Sequence, residues 1–228
     1  MPLPIYLAMT AAEYEKNVEP AEKMAWMACH FSPYGTGLSN FPSHLPRGAM
    51  LILNDRTPVC GHDPELIAAQ IRALTEQFDC SRVLLDLQRP GEPETAAIVH
   101  AILQTLPCPV GVSEGYGKDL DCPVFLRPLP LLQSPEHYFA VWKEREIWLE
   151  LAGPAACYTV TESGCRCQQE IPIPPYIHTD TDLCCRYRIE ETENAFLFHI
   201  WKDPTLVREQ LSRWENVTCL VGLYQELG

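Results

Sequence analysis

Basic charge is what this chain has least of. Its 228 residues carry 17 Lys and Arg against 30 Asp and Glu, a formal net charge of −13. A sequence-independent grip on nucleic acid, or on an anionic membrane surface, needs the opposite balance, so neither partner is expected. Long apolar runs are missing too, and no stretch reaches the roughly 18–20 residues that cross a bilayer. The opening MPLPIYLAMT has no basic region ahead of an apolar one. It is therefore not read as a signal peptide, and the expected address is the cytosol. Heptads, internal repeats and low-complexity segments are absent. There is no G-x-S-x-G nucleophile elbow, and the loop SPYGTG lacks the Lys-Ser/Thr ending of a phosphate-binding loop. No cofactor is expected. Glycine is scarce beside proline, 12 against 21, which fits many sharp exits from strands into loops.

What the chain does have is cysteine, eleven in all. An odd number spread from Cys29 to Cys219 does not resemble the dense framework of a small secreted domain. Cys29, Cys108 and Cys219 sit within apolar segments, where a thiol behaves as a small hydrophobe, and the set is read as reduced. Cys165, Cys167, His178, Cys184 and Cys185 are the residues to test for zinc. Zinc sites usually show two well-spaced Cys or His pairs, and C-x-C followed by adjacent cysteines is irregular. Structural thiols are the preferred reading, and no metal site is assigned.

The length and a hydrophobic fraction of 46% suit one large soluble domain with a substantial core. Short apolar segments alternate with amphipathic ones over the first two-thirds, the α/β pattern. Strands are expected at Pro4–Met9, Met24–Phe31, Ala49–Asn54, Arg82–Gln88, Val110–Ser113, Val124–Leu126, Ile147–Leu151 and Thr218–Tyr224. A helix is expected from Ala11 to about Glu19 and a brief one over Pro135–Trp142. The clearest helix follows Asp63 as cap and Pro64 at its first position, with Leu66, Ile67, Ile71 and Leu74 as its apolar stripe. Another spans Pro93–Leu106 with Ala97, Ile98, Ala101 and Ile102 on one face, and a last one spans Pro204–Trp214, capped by Asp203. Tyr158–Arg166, Leu183–Glu190 and Ala195–Trp201 read as antiparallel pieces, with Thr192–Asn194 as a hairpin turn. The expected architecture is α/β: a compact (β/α)8 TIM-like barrel over 1–228 with a β-rich insertion around 157–195. An open doubly wound sheet is the alternative.

The segment Arg82–Gly91, RVLLDLQRPG, carries most of the functional signal. Alternation along a strand sends Val83, Leu85 and Leu87 to one face and Leu84, Asp86 and Gln88 to the other. The first face suits packing under helices. The second ends in two polar groups at the strand's C-terminal end, where parallel sheets and barrels keep their ligand sites.

Three segments together resemble glycoside hydrolase family 18, the chitinase-like barrels. The first is the ending, in which Asp203, a helix from Pro204, Gly222 and Tyr224 follow in that family's order; the second is IWLELAGPAACYTVT, which resembles its seventh strand and the insertion after it. The third is RVLLDLQ, which falls in the place of its signature fourth strand. The resemblance implies a TIM barrel and an N-acetylated glycan, such as chitin or a peptidoglycan fragment, at the mouth. The family's fourth strand carries D-x-x-D-x-D-x-E, whereas this chain has Ser81, Leu84, Asp86 and Gln88 in that register. In the family the final glutamate protonates the glycosidic oxygen and the aspartate before it orients the substrate's acetamido group. A carboxamide has no usable proton, so Gln88 cannot be that general acid. PVFLRPLP also lacks the family's Tyr–Asp pair, and Tyr224 replaces its terminal tryptophan.

Three functional readings stay open. In the first, the protein binds a sugar without cleaving it, using Asp86, Gln88, Tyr116, Arg127, Tyr224 and Glu226. In the second it is a working glycosidase whose acid is Glu114 or Glu150, with Asp86 as a further catalytic candidate. In the third it is an interaction scaffold without a small ligand, which predicts a mouth plugged by its own side chains. Asp55 is another strand-end polar group, and Trp26, Tyr34, Phe41, Tyr116, Trp148 and Trp201 are candidates for a sugar-stacking platform. Most such aromatics belong to the core. Tyr34 and Tyr116, in glycine-containing loops, are the ones expected to be exposed.

Overall fold

The computed structural model describes residues 3–16, 23–34, 37–59, 61–89, 91–170, 172 and 175–227. Eight parallel strands close into a barrel. They are β1 (Ile5–Met9), β2 (Lys23–Phe31), β3 (Met50–Asn54), β4 (Arg82–Asp86), β5 (Val110–Ser113), β6 (Val124–Leu126), β7 (Ile147–Glu150) and β8 (Val217–Leu223). Each pairs with the next in sequence, and β1 pairs with both β8 and β2, which closes the ring. Leu7 sits opposite Gly222 on one side and Met24 on the other. Closure leaves the ring no free edge. The open-sheet alternative is thereby excluded.

Strand alternation sorts the core into two regions. Inward residues of successive strands form one cluster, with Tyr6, Met50, Ile52, Leu84, Phe125 and Trp148 among them. Outward residues, including Leu51, Leu53, Val83, Leu85 and Leu87, pack beneath the flanking helices. The two faces of β4 therefore divide as its alternation predicts. Trp148 occupies the space that a side chain on β5 would need. A Cβ at Gly111 would lie 2.2 Å from the indole, so glycine is required there by close approach.

The helical ring is uneven. The crossover from β3 to β4 is the 15-residue helix α2 (Pro64–Phe78), and that from β4 to β5 is the 13-residue α3 (Pro93–Thr105). Asp63 caps α2 by accepting from the Glu65 and Leu66 amides, and Asp79 ends it in the left-handed conformation. The stripe of α2 holds at Ile67, Ile71 and Leu74 and departs from expectation at Leu66. Ile67, Ala68, Ile71, Leu74 and Thr75 are buried, and Leu66 faces solvent. On α3, Val99 and Thr95 join Ile98, Ala101 and Ile102 in the core, whereas Ala97 is exposed. The segment after β1 is a short helix, α1 (Ala11–Tyr14); its expected continuation to Glu19 falls partly outside the described residues.

Between β7 and β8 lies a separate five-stranded antiparallel sheet. Its strands are Ala155–Thr161, Gly164–Glu170, His178–Asp180, Cys185–Glu191 and Phe196–Lys202. It thus runs to Lys202, beyond the expected limit of 195. The expected single piece Tyr158–Arg166 is two strands joined by a turn at Glu162–Ser163, because Gly164, at φ 139°, lets the chain reverse there. The turn before the last strand is as expected, with the Thr192 amide donating to the Ala195 carbonyl at 2.8 Å. A helix over Pro204–Leu211 follows, capped by Asp203, and it ends a turn before the expected Trp214. At the chain's end Tyr224–Leu227 is a helical turn, so Tyr224 starts a helix where a strand end was expected.

Candidate functional site at the C-terminal mouth of the barrel

A cavity of about 650 Å³ opens where the barrel strands end. Its floor is apolar, with Ala8, Ile52, Leu84, Phe125 and Val221, and its rim carries Asp55, Asp86, Gln88 and Glu150. This is the size of a small-molecule site, and its polarity, a few polar groups over an apolar base, is that of one too. The mouth is not plugged by its own side chains, which was the expectation of the scaffold reading.

Strand β4 supplies the centre of the site. The Gln88 amide nitrogen donates to Asp86 at 2.6 Å, and the Gln88 carbonyl oxygen accepts from the Arg127 guanidinium at the end of β6. Gln88 is therefore held at both ends, and its carboxamide orientation is fixed by a carboxylate on one side and a cation on the other. The backbone beyond Asp86 is positioned by Asp55, a buried carboxylate on the β3 side. Asp55 accepts from the amides of Gln88 at 2.9 Å and Arg89 at 2.7 Å. Ser113, at the end of β5, accepts from the Leu87 amide at 2.9 Å. Three adjacent strands thus fix the chain between Asp86 and Arg89.

Strand β2 shapes the opposite side. Its register with β3 slips between Trp26 and Cys29, where three residues advance against two, a β-bulge at the barrel rim. Met27 and Ala28 both line the cavity as a result. The carbonyls freed by the bulge are taken up by mouth residues: Asn54 donates to Met27 at 3.0 Å and His30 Nδ1 to Ala28 at 2.9 Å.

The electrostatics concentrate on two carboxyls. Burial pushes Asp86 above the ordinary carboxylate range; its Gln88 hydrogen bond opposes that, and the Asp55 charge adds to it. Glu150 is pushed up by burial first, then by the charge of Asp86, with Arg127 pulling it down and Glu226 adding a smaller upward push. The Tyr138 hydroxyl, which donates to the Arg127 carbonyl at 3.0 Å, is pushed up to about 12, chiefly by burial. Two carboxyls that titrate high beside one guanidinium are equipped to hold a proton, or to accept hydrogen bonds from a ligand's hydroxyl and amide groups.

The other sequence candidates are distributed around this centre. Glu114, Tyr116 and Arg127 border a side pocket of about 170 Å³ that shares Asp86, Gln88, Phe125 and Glu150 with the main mouth. Tyr116 is half-buried, not exposed. Its hydroxyl donates to the Arg89 carbonyl and accepts from the Glu92 amide at 3.3 Å, which ties it to the loop after β4. Tyr224 packs against the outer hydrophobic clusters and does not line the cavity. Glu226 borders a neighbouring groove. Among the aromatics, Trp26 and Trp148 are core, Tyr34 is 97% exposed, and Trp201 is half-buried. Sequence reasoning missed Thr10, His30, Asn40 and Asn54, which all line the mouth. For His30 and Asn54 the signal was available, since each ends or nearly ends a parallel strand.

The cysteine candidates do not converge. Cys165 and Cys167 are exposed on an edge strand of the insertion, while Cys184 and Cys185 are buried. Cys185 lies three strand spacings from that edge, about 14 Å. Among the described residues no group of three or more His, Cys, Asp or Glu is placed to hold a metal ion, and the ten described cysteines are free thiols; Cys60 lies outside the described residues. No described helix is long and apolar enough to cross a membrane.

No protein-family model matches this chain, and no curated protein or solved structure matches it significantly. What fold and site define together is an α/β barrel of the TIM type with a polar, carboxylate-bearing mouth.

Proposed function

We propose that the protein binds a sugar at the mouth of the barrel without cleaving it, the class being the N-acetylated glycans that the resemblance to family 18 implies. The observation that carries this reading is the Asp86–Gln88–Arg127 chain of hydrogen bonds, which starts at Asp86 and Gln88 on the rim of the 650 Å³ cavity and ends at Arg127 in the adjoining side pocket. Those groups offer carboxylate and carboxamide acceptors, a guanidinium donor and an apolar floor, which suits a ligand with hydroxyls around an apolar ring face. A carboxamide at the position of the family's acid has no proton to deliver, and Gln88 is committed at both ends. The test is native mass spectrometry after incubation with N-acetylglucosamine oligosaccharides and muropeptides. Intact adducts that weaken in Asp86→Ala are expected; the absence of adducts overturns the reading.

One observation favours a second reading, an active glycosidase. Glu150 shares the mouth with Asp86 and is pushed up by burial and by that neighbour's charge, so it can retain a proton that Gln88 cannot supply. Under this reading the same experiment yields shortened products, and Glu150→Gln abolishes them.

A further inference from the structure

The insertion is a single layer of five strands, with Gly164–Glu170 at one edge and His178–Asp180 at the other. Cross-strand register sorts its side chains onto two unlike faces. Cys157, Arg188, Glu190, His199 and Trp201 share the first. There Arg188 pairs with Glu190 at 3.2 Å, and His199 lies 3.9 Å from the same carboxylate. The connection between the two edge strands leans on this face, with the Tyr176 ring 5.7 Å from that of Trp201. The opposite face carries Tyr158, Val160, Tyr187, Ile189, Phe196 and Phe198. The Phe198 ring lies 6.4 Å from Tyr158 and 5.3 Å from Tyr187, so the aromatics form one patch across three strands. Only the base of that face is tied down. Cys185 and Lys202 donate there to the Leu131 and Gln133 carbonyls of the loop after β6, at 3.3 and 3.0 Å. Beyond the base the face is open: Val160, Ile189 and Phe196 are 43%, 55% and 51% exposed.

An apolar sheet face is stable against a second layer, and sheet on sheet is one of the few ways to supply it. Charge selects which second layer. The chain carries a net −13, so two copies repel over most of their surface. On the three central strands of the open face the only charged side chains are the buried Lys202 at its base and Glu191 at its tip. Two copies can therefore meet there without stripping water from unpaired charges. The area is also sufficient. Four of the strands have seven residues. At about 4.8 Å between strands and 3.3 Å per residue they cover roughly 450 Å², so two copies face to face occupy about 900 Å² before side-chain relief is counted. Specific interfaces begin near 1,000 Å², and weak ones extend to about 1,200 Å². A face of this size suits a dimer with micromolar affinity.

We infer that this face is a dimer interface, in which the insertions of two copies of the chain pack sheet on sheet about a two-fold axis. The test is sedimentation velocity of the full chain from about 1 to 200 μM, a range that brackets micromolar dissociation constants. A thiol reductant is present throughout, because Cys165 and Cys167 are exposed on the edge strand. The wild type should move from the 25.8 kDa of one chain toward twice that mass as concentration rises. Phe196→Glu and Ile189→Lys place charges of opposite sign on the open face, and each should weaken association at least tenfold. Gln168→Glu adds the same charge as the first variant on the other face and should change it less than twofold. All three sites are exposed in the single chain, so the variants keep their fold. A wild type that stays at one chain's mass throughout overturns the dimer and leaves the face to a different protein. Association that survives both face variants, or that Ile189→Lys strengthens, overturns it as well, the second by showing that charge drives contact elsewhere.

Discussion

Gln88 reaches back two residues along its own strand end and donates its amide to Asp86 at 2.6 Å. Both side chains lie on the face that lines the mouth, as residues of equal parity must. Burial pushes Asp86 up, and this bond opposes it. In Gln88→Glu a carboxylate replaces the donor, and two acids in contact resist joint ionisation. The expected result is a further rise of the Asp86 pKa by carboxyl NMR titration. The melting temperature should fall at pH 7 and recover near pH 5; an unshifted Asp86 would show that burial, and not its contact with residue 88, controls it.

Asp86 and Glu150 are both raised in the folded chain from ordinary values of 3.8 and 4.5. Between those values and the raised ones, the folded state holds protons that the unfolded state has released. Stability contributed by these groups is therefore present below the ordinary values and is lost as pH rises through the raised ones. Glu150→Gln, which mimics the protonated form, should raise the urea midpoint at pH 7. That gain should shrink to nothing as pH falls below about 4. A gain independent of pH would show that ionisation of Glu150 is not its source.

Asp55 is a buried carboxylate that accepts the Gln88 and Arg89 amides. Charge-assisted hydrogen bonds to backbone are worth about 1.5–3 kcal/mol each, so Asp55→Ala should destabilise by at least that amount. Hydrogen exchange of the Gln88 and Arg89 amides should accelerate well beyond that of β3. Equal acceleration throughout the barrel would show global loosening in place of a released loop.

Gly111 and Trp148 compete for one volume, since a Cβ on the glycine would meet the indole at 2.2 Å. Gly111→Ala should cost about 1–3 kcal/mol or more through overpacking. Adding Trp148→Phe should recover part of that loss, a coupling that a double-mutant cycle reads directly. Additive costs would place the clash elsewhere.

Lys202 is completely buried and donates to the Gln133 carbonyl at 3.0 Å and the Leu183 carbonyl at 2.6 Å, joining the insertion to the loop after β6. Lys202→Met fills similar space but leaves those carbonyls without this donor. It should cost about 2–4 kcal/mol and speed proteolysis within 155–202 ahead of the barrel. Uniform cleavage kinetics would show that Lys202 stabilises the whole fold equally.

The barrel was legible where periodicity was strong. In β4 the alternation of Val83, Leu85 and Leu87 with Leu84, Asp86 and Gln88 places every residue on its observed side. Asp63–Pro64 starts α2 where its capping chemistry requires. The bulge at Met27–Ala28 left no trace, because MAWMACHF is apolar on both faces and register is set by β3, not by the strand itself. Leu66 was misplaced because an apolar residue in the first turn of a helix need not face the core. The Glu162–Ser163 reversal was hidden inside a run of strand formers, although Gly164 marks it. The side pocket and the groove could not be read at all, since both depend on how distant strand ends adjoin.

The insertion begins and ends on strands that pair with each other, with Ala155 opposite Trp201. The chain thus leaves and re-enters the barrel at a single point, and ring closure between β7 and β8 is made by barrel residues alone. Such a graft can be lengthened, trimmed or exchanged without altering the ring that carries Asp86. In descendants of this chain, the shape of the insertion and the chemistry of the mouth are free to diverge at different speeds.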